Sequence, residues 1–98
     1  MDITSKQRAY LRGLANDMDA IIHIGKASLT PEITKSVDEA LEKRELVKLA
    51  VLKNCFDDPY QIADMVSERT RSNVVSVVGK KFILYRPSKK NPKIQLPK

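Results

Sequence analysis

The segment His23-Ile24-Gly25-Lys26-Ala27-Ser28-Leu29-Thr30-Pro31 sets a glycine, a lysine and a serine between a short apolar run and a helix start. A strand-to-helix junction of this kind brings unpaired backbone N–H groups together with the positive end of a helix dipole, and both favour an anion. Lys26 adds a mobile positive charge, which Glu32, just inside the helix, partly opposes. A nucleotide-hydrolysing P-loop also carries Gly-Lys at such a junction. It requires a glycine five positions before that Gly and a Ser/Thr directly after the lysine. Those positions are Ala20 and Ala27 here, so the P-loop reading fails. An ordinary turn and a phosphate-facing loop are the readings that remain.

Little else in the chain has the residue types for catalysis. Cys55 is the only cysteine and His23 the only histidine, so neither an internal disulfide nor a Cys/His zinc site can be assembled. His23, inside the apolar run Ile21-Ile22-His23-Ile24, reads as a strand residue whose ring packs or hydrogen-bonds locally, or else as one that meets a ligand beside the loop. No Ser/His/Asp set or paired-carboxylate site is defensible. The expectation is a protein that is not an enzyme, with no cofactor, metal or small-molecule substrate.

The 98-residue chain carries a net charge of +6, unevenly distributed. Residues 29–68 hold five Lys/Arg against nine Asp/Glu, net −4, whereas residues 69–98 hold nine Lys/Arg and no acid, net +9. Such asymmetry points to a polyanionic partner, or more plainly to a solubilising tail. No apolar run approaches the roughly 20 residues that a membrane-spanning helix needs. The first residues mix charges of both signs and do not read as a secretion signal. A cytoplasmic protein without a membrane partner is expected.

The elements that must position these residues follow from periodicity. Leu11, Leu14, Ala15 and Met18 recur at helical spacing from Ser5 to about Met18, with Lys6, Arg8 and Arg12 off the stripe. Ile21–Ile24 reads as a buried strand. Thr30-Pro31 and Asp57-Asp58-Pro59 are cap-then-proline helix starts, leading helices to about Lys43 and Thr70. Glu45–Leu52 alternates as a strand, with Val47, Leu49 and Val51 on one face and Lys48 on the other. Val74–Val78 and Lys81–Tyr85 form a hairpin around Gly79-Lys80. The remainder, RPSKKNPKIQLPK, with three prolines, should be extended and largely uncovered. The expected fold is a compact single α/β domain of α-β-α-β-α-β-β order with a four-stranded mixed sheet packed with helices. Both strand-helix-strand crossovers should join neighbouring parallel strands.

Four separated blocks, TSKQRAYLRGLAND, IHIGKASLTPEI, ALEKRELVKLAVL and VVSVVGKKFILYRPSKKNPKIQLPK, together resemble the bacterial YhbY family, the single-domain form of the CRM domain (chloroplast RNA splicing and ribosome maturation). The resemblance covers essentially the whole chain. It implies a fold similar to the C-terminal domain of a bacterial translation initiation factor, with residues 1–86 as the RNA-binding domain and 87–98 as its extended basic tail. It also implies RNA as ligand, namely ribosomal RNA in precursors of the large subunit. The family's G-x-x-G loop, likened to the backbone clamp of KH domains, falls on Gly25, Lys26, Ala27 and Ser28. Ser28 stands where the second glycine is expected, a departure that bears on whether the backbone reaches positive φ there. Its hydroxyl offers a phosphate contact instead.

On this reading Lys26 and its loop grip phosphate, while Arg8, Arg12, Lys80, Lys81, Arg86, Lys89 and Lys90 extend the positive surface. Tyr10, Phe56, Tyr60, Phe82 and Tyr85 are scattered, so recognition by backbone and shape is expected rather than base-by-base reading. The rival is a basic adaptor that docks on acidic ribosomal or translation proteins without touching RNA. A DNA-binding regulator is disfavoured, because the helices are separated by strands and no helix-turn-helix is evident.

Overall fold

The computed structural model describes residues 2–98. Its elements are α1 (Ser5–Ala15), β1 (Ile22–Ile24), α2 (Pro31–Arg44), β2 (Leu46–Val51), α3 (Pro59–Thr70), β3 (Asn73–Val78) and β4 (Lys81–Tyr85). Each helix begins on a side-chain cap. Thr4 and Gln7 form a reciprocal capping box on α1, Thr30 Oγ1 accepts the Ile33 N–H, and Asp58 accepts the Tyr60 N–H, with proline opening α2 and α3. The first helix stops at Ala15, short of the expected Met18.

The sheet order is β1-β2-β4-β3. β1 and β2 are parallel neighbours, as their crossover through α2 demands. The second crossover departs from expectation: β4 lies antiparallel between β2 and β3 and separates them. The burial pattern accounts for this. Phe82, Ile83, Leu84 and Tyr85 are all buried, so β4 suits a central position covered on both faces, whereas β3 carries Asn73, Ser76 and an exposed Val78 and takes the edge.

Helices cover both faces. On one, α2 and α3 enclose Ile24, Val37, Leu41, Val47, Leu49, Val51, Ile62, Val66, Phe82 and Leu84. On the other, α1 packs Leu11 and Ala15 against Leu46, Val75, Ile83 and Tyr85. Alternation along β2 assigns Val47, Leu49 and Val51 to the first face as expected. Two positions of the expected stripes stay outside: Leu14 and Met65 are on the flanks of their helices, at 43% and 38% exposure.

The C-terminal segment is irregular, as expected, but it is not uncovered. The backbone N–H groups of Ser88, Lys93 and Ile94 each donate to the Glu45 carboxylate at 2.7 Å, and those of Lys89 and Lys90 donate to Glu42. Asn91 N–H donates to Ser88 Oγ, and Pro87 and Pro92 have no N–H to satisfy. Two glutamates thus do for this segment what a neighbouring strand does in a ladder. Beyond them, Ile94 and Leu96 pack on the α1 cluster and Gln7 Nε2 donates to Pro97 O.

Glu45 itself is fully buried at the end of α2, with φ 66°. Burial pushes its carboxyl up, but the donors from Ser88, Ile94 and Lys93 outweigh that and leave it below the ordinary carboxylate value. The Ser88 hydroxyl, followed by the Lys89 N–H, lowers Glu42 to about 2. Tyr85 responds in the opposite sense: burial, and then the Glu45 charge, push its phenol up.

Candidate nucleic-acid interface

Parallel pairing of β1 with β2 brings their C-terminal ends to one edge of the sheet, and antiparallel β4 begins at that same edge. Ile24 pairs with Val51, Leu52 N–H donates to Ile24 O at 2.8 Å, and Val51 N–H donates to Lys80 O at 2.7 Å. The Gly25–Ser28 loop and the Gly79-Lys80 turn therefore flank the end of β2, two strand spacings or roughly 10 Å apart. Lys26, Lys80 and Lys81 are exposed there. Lys53 joins them. It was not singled out from sequence, although it follows the end of β2 much as Lys26 follows the end of β1. The acids at this edge are Glu32 in the first turn of α2, Asp57 and Asp58, and Asp58 is engaged as the cap of α3.

The loop is a closed turn: Ser28 N–H donates to Gly25 O at 2.9 Å, with Lys26 and Ala27 exposed at its tip. Ser28 has φ 58°, so serine does take the left-handed conformation at the family's glycine position. Gly25 has no such need. Its φ is not left-handed, and an added Cβ would meet Asn54 Oδ1 at an ordinary 3.5 Å. At the start of α2, Pro31 has no N–H, Ile33 is capped by Thr30 and Thr34 N–H donates to Thr30 O. That leaves the Glu32 N–H, with those of Lys26 and Ala27 in the turn, unpaired among the described residues.

The other expected contact residues separate. Arg12 stands across a groove from Lys81, between the end of α1 and the sheet; the groove, about 280 Å³, is also lined by Lys48, Asn16, Ser76, Val78 and Ile83. Arg8 is turned inward, where its Nη1 donates to Val74 O and Val75 O. Those carbonyls sit at a bulge in β3 between Val74 and Ser76, so the guanidinium satisfies backbone that the ladder leaves irregular. Lys89 and Lys90 are exposed, but at the opposite edge. β4 ends where β2 begins, and the five steps from Leu46 to Val51 span roughly 17 Å.

Arg86 is not on the surface. Its side chain is 10% exposed and bridges Asp38 Oδ1 at 2.6 Å, while donating to Thr70 O and Asp38 O. It thereby ties the last carbonyl of α3 to α2, with its guanidinium engaged inside the fold. The signal for this was the acidic series Asp38, Glu42 and Glu45, one stripe of α2 at i, i+4 and i+7, which meets residues 86–94. The charge segregation of the sequence is used in part within the chain. Among the described residues no His/Cys/Asp/Glu group could hold a metal, and no helix is long and apolar enough to cross a membrane. His23 is exposed, on the sheet face away from α2.

Residues 3–86 match the CRS1 / YhbY (CRM) domain. The chain belongs to this family. Relatives within reach are named for RNA binding: Bacillus subtilis YqeI, a "probable RNA-binding protein", is 38% identical over 97% of this chain and 99% of its own length. A Haemophilus influenzae protein named "RNA-binding protein" is 30% identical over 98% of this chain and 96% of its own. Among solved structures, that of SAV1595 from Staphylococcus aureus, a candidate RNA binder, superposes with a TM-score of 0.82 at 46% identity, covering 98% of this chain and all of that one.

Proposed function

We propose that this CRM-domain protein is a non-enzymatic, cytoplasmic RNA-binding module that helps assemble the large ribosomal subunit by engaging ribosomal RNA. The observation that carries the reading is the convergence of the Gly25–Ser28 turn, Lys80 and Lys81 on one sheet edge, with unpaired N–H groups at the turn. That combination suits a nucleic-acid backbone, because phosphate contacts come from lysines, backbone N–H groups and helix N-termini alike. Arg12 and Lys53 extend the same surface. Lys89 and Lys90 form a second, separate patch. Arg8 and Arg86 have no role in contact, since their guanidinium groups are engaged within the fold.

The test has two arms. Sedimentation of cell extract should find the protein with large-subunit precursor particles and depleted from translating ribosomes; equal abundance on both, or absence from both, contradicts the assembly role. Matched RNA and DNA duplexes, single-stranded RNA and an acidic protein control then report the ligand. A preference for the acidic protein would favour the adaptor reading.

A further inference from the structure

One row of paired residues crosses all four strands on the α1 face of the sheet: His23 with Ala50, Ala50 with Lys81, and Lys81 with Val78. α1 covers the opposite half of that face, through Leu46, Val75 and Tyr85, and leaves three members of this row open, with Ala50 buried between them. His23 and Lys81 are exposed, and Val78 is an apolar side chain with 75% of its surface in water. The row runs into the groove beside the end of α1, where Arg12, Lys48 and Lys81 surround Val78 and Ile83 and no lining residue is acidic. Lys48 is held in its wall by a 2.9 Å hydrogen bond from Nζ to Met18 O.

Cations around an apolar floor describe a ligand that is anionic at one end and flat and apolar at the other. A duplex backbone would reach the cations and leave the floor wet. The volume of about 280 Å³ is at the small end for ligand sites, suited to a single base with its sugar. We propose that this groove seats one unpaired nucleotide of a single-stranded RNA, with its base against Val78 and Ile83 and its phosphate between Arg12 and Lys81. The inference rests on the RNA-binding reading above and narrows it to an unpaired segment. Lys81 belongs both to the groove and to the edge that holds the Gly25–Ser28 turn, so one strand can run from turn to groove along the row, roughly 14 Å across three strand spacings.

Ser76→Phe fills the groove and Val78→Ser removes the exposed part of its apolar floor, neither changing charge. Lys26→Ala with Lys80→Ala weakens the backbone grip instead. Affinities are measured for a short single-stranded RNA, the same RNA annealed to its complement, and oligoglutamate, with folding checked by thermal unfolding. Val78 is exposed, so its variant is expected to fold even where Ser76→Phe does not. The expected result is a loss of about fivefold on the single strand for either groove variant, and less than twofold on the duplex. Unchanged single-strand affinity in folded groove variants, with loss in the double lysine variant, overturns the nucleotide seat and leaves RNA binding standing. Absence of wild-type binding to both RNAs, or a groove-dependent preference for oligoglutamate, overturns both.

Discussion

Glu45 Oε1 accepts a 2.7 Å hydrogen bond from the backbone N–H of Ile94, closing the C-terminal segment onto the end of α2 across 49 residues of sequence. The same carboxylate holds Ser88 and Lys93, so one buried residue at a strained backbone position anchors the last part of the chain.

Glu45→Ala should therefore destabilise the fold by about 3 kcal/mol, because one buried and two half-buried N–H groups lose their charged acceptor. Removing residues 87–98 should also lower stability, against the sequence-based expectation of a largely uncovered segment, since Ile94 and Leu96 leave the α1 cluster. Combining the two changes should cost less than their sum, as both break the same contacts. Denaturant unfolding measures all three; additive losses would mean that Glu45 acts elsewhere.

Acid should loosen this anchor. Glu42 and Glu45 both titrate below their ordinary values in the folded protein, Glu42 at about 2. Their contribution is fully present above the unfolded carboxylate value of about 4.3 and is lost as pH falls through the folded values. Amide signals of Ser88–Ile94 should accordingly shift between about pH 4 and 2, and Glu42→Gln should flatten the acid limb of the stability profile.

Ser28→Gly relieves a left-handed serine but loosens the unfolded chain, so stability should hold or rise by up to about 1 kcal/mol. Gly25→Ala should change stability by no more than about 0.5 kcal/mol, because its Cβ meets Asn54 at contact distance without overlap. Thermal unfolding of the two variants checks both. A large loss in Gly25→Ala would mean that the turn needs glycine for its own geometry.

Replacing Lys26, Lys80 and Lys81 together with alanine should reduce the slope of log affinity against log salt by about 2 for single-stranded RNA, at about 0.7 per phosphate contact. Arg86→Ala should act differently. It leaves Thr70 O and Asp38 O without their donor and should destabilise the fold by about 2 kcal/mol, with the salt slope unchanged in the folded fraction.

The element order was legible because α1 shows helical apolar spacing, α2 and α3 open on their own caps, β2 alternates and the other strands are short β-rich runs; Thr30-Pro31 and Asp58-Pro59 needed no tertiary context. Strand order was not, since whether β4 lies beside or between its neighbours depends on which strand is buried on both faces. The loop at Gly25–Ser28 was legible from its junction. Arg86 and Arg8 were not, because in sequence an arginine that satisfies internal carbonyls looks the same as one that faces solvent. Glu45 read as the first residue of a strand, and only the fold brings residues 88–94 to it.

The claim that the Gly25–Ser28 edge binds RNA is tested most directly by titrating the isotopically labelled protein with single-stranded RNA and following its amide signals. The account predicts shifts concentrated at residues 25–28 and 76–81, with those of residues 88–94 largely still. Shifts confined to residues 88–94, or none at an RNA concentration where binding is measured by another method, would contradict it.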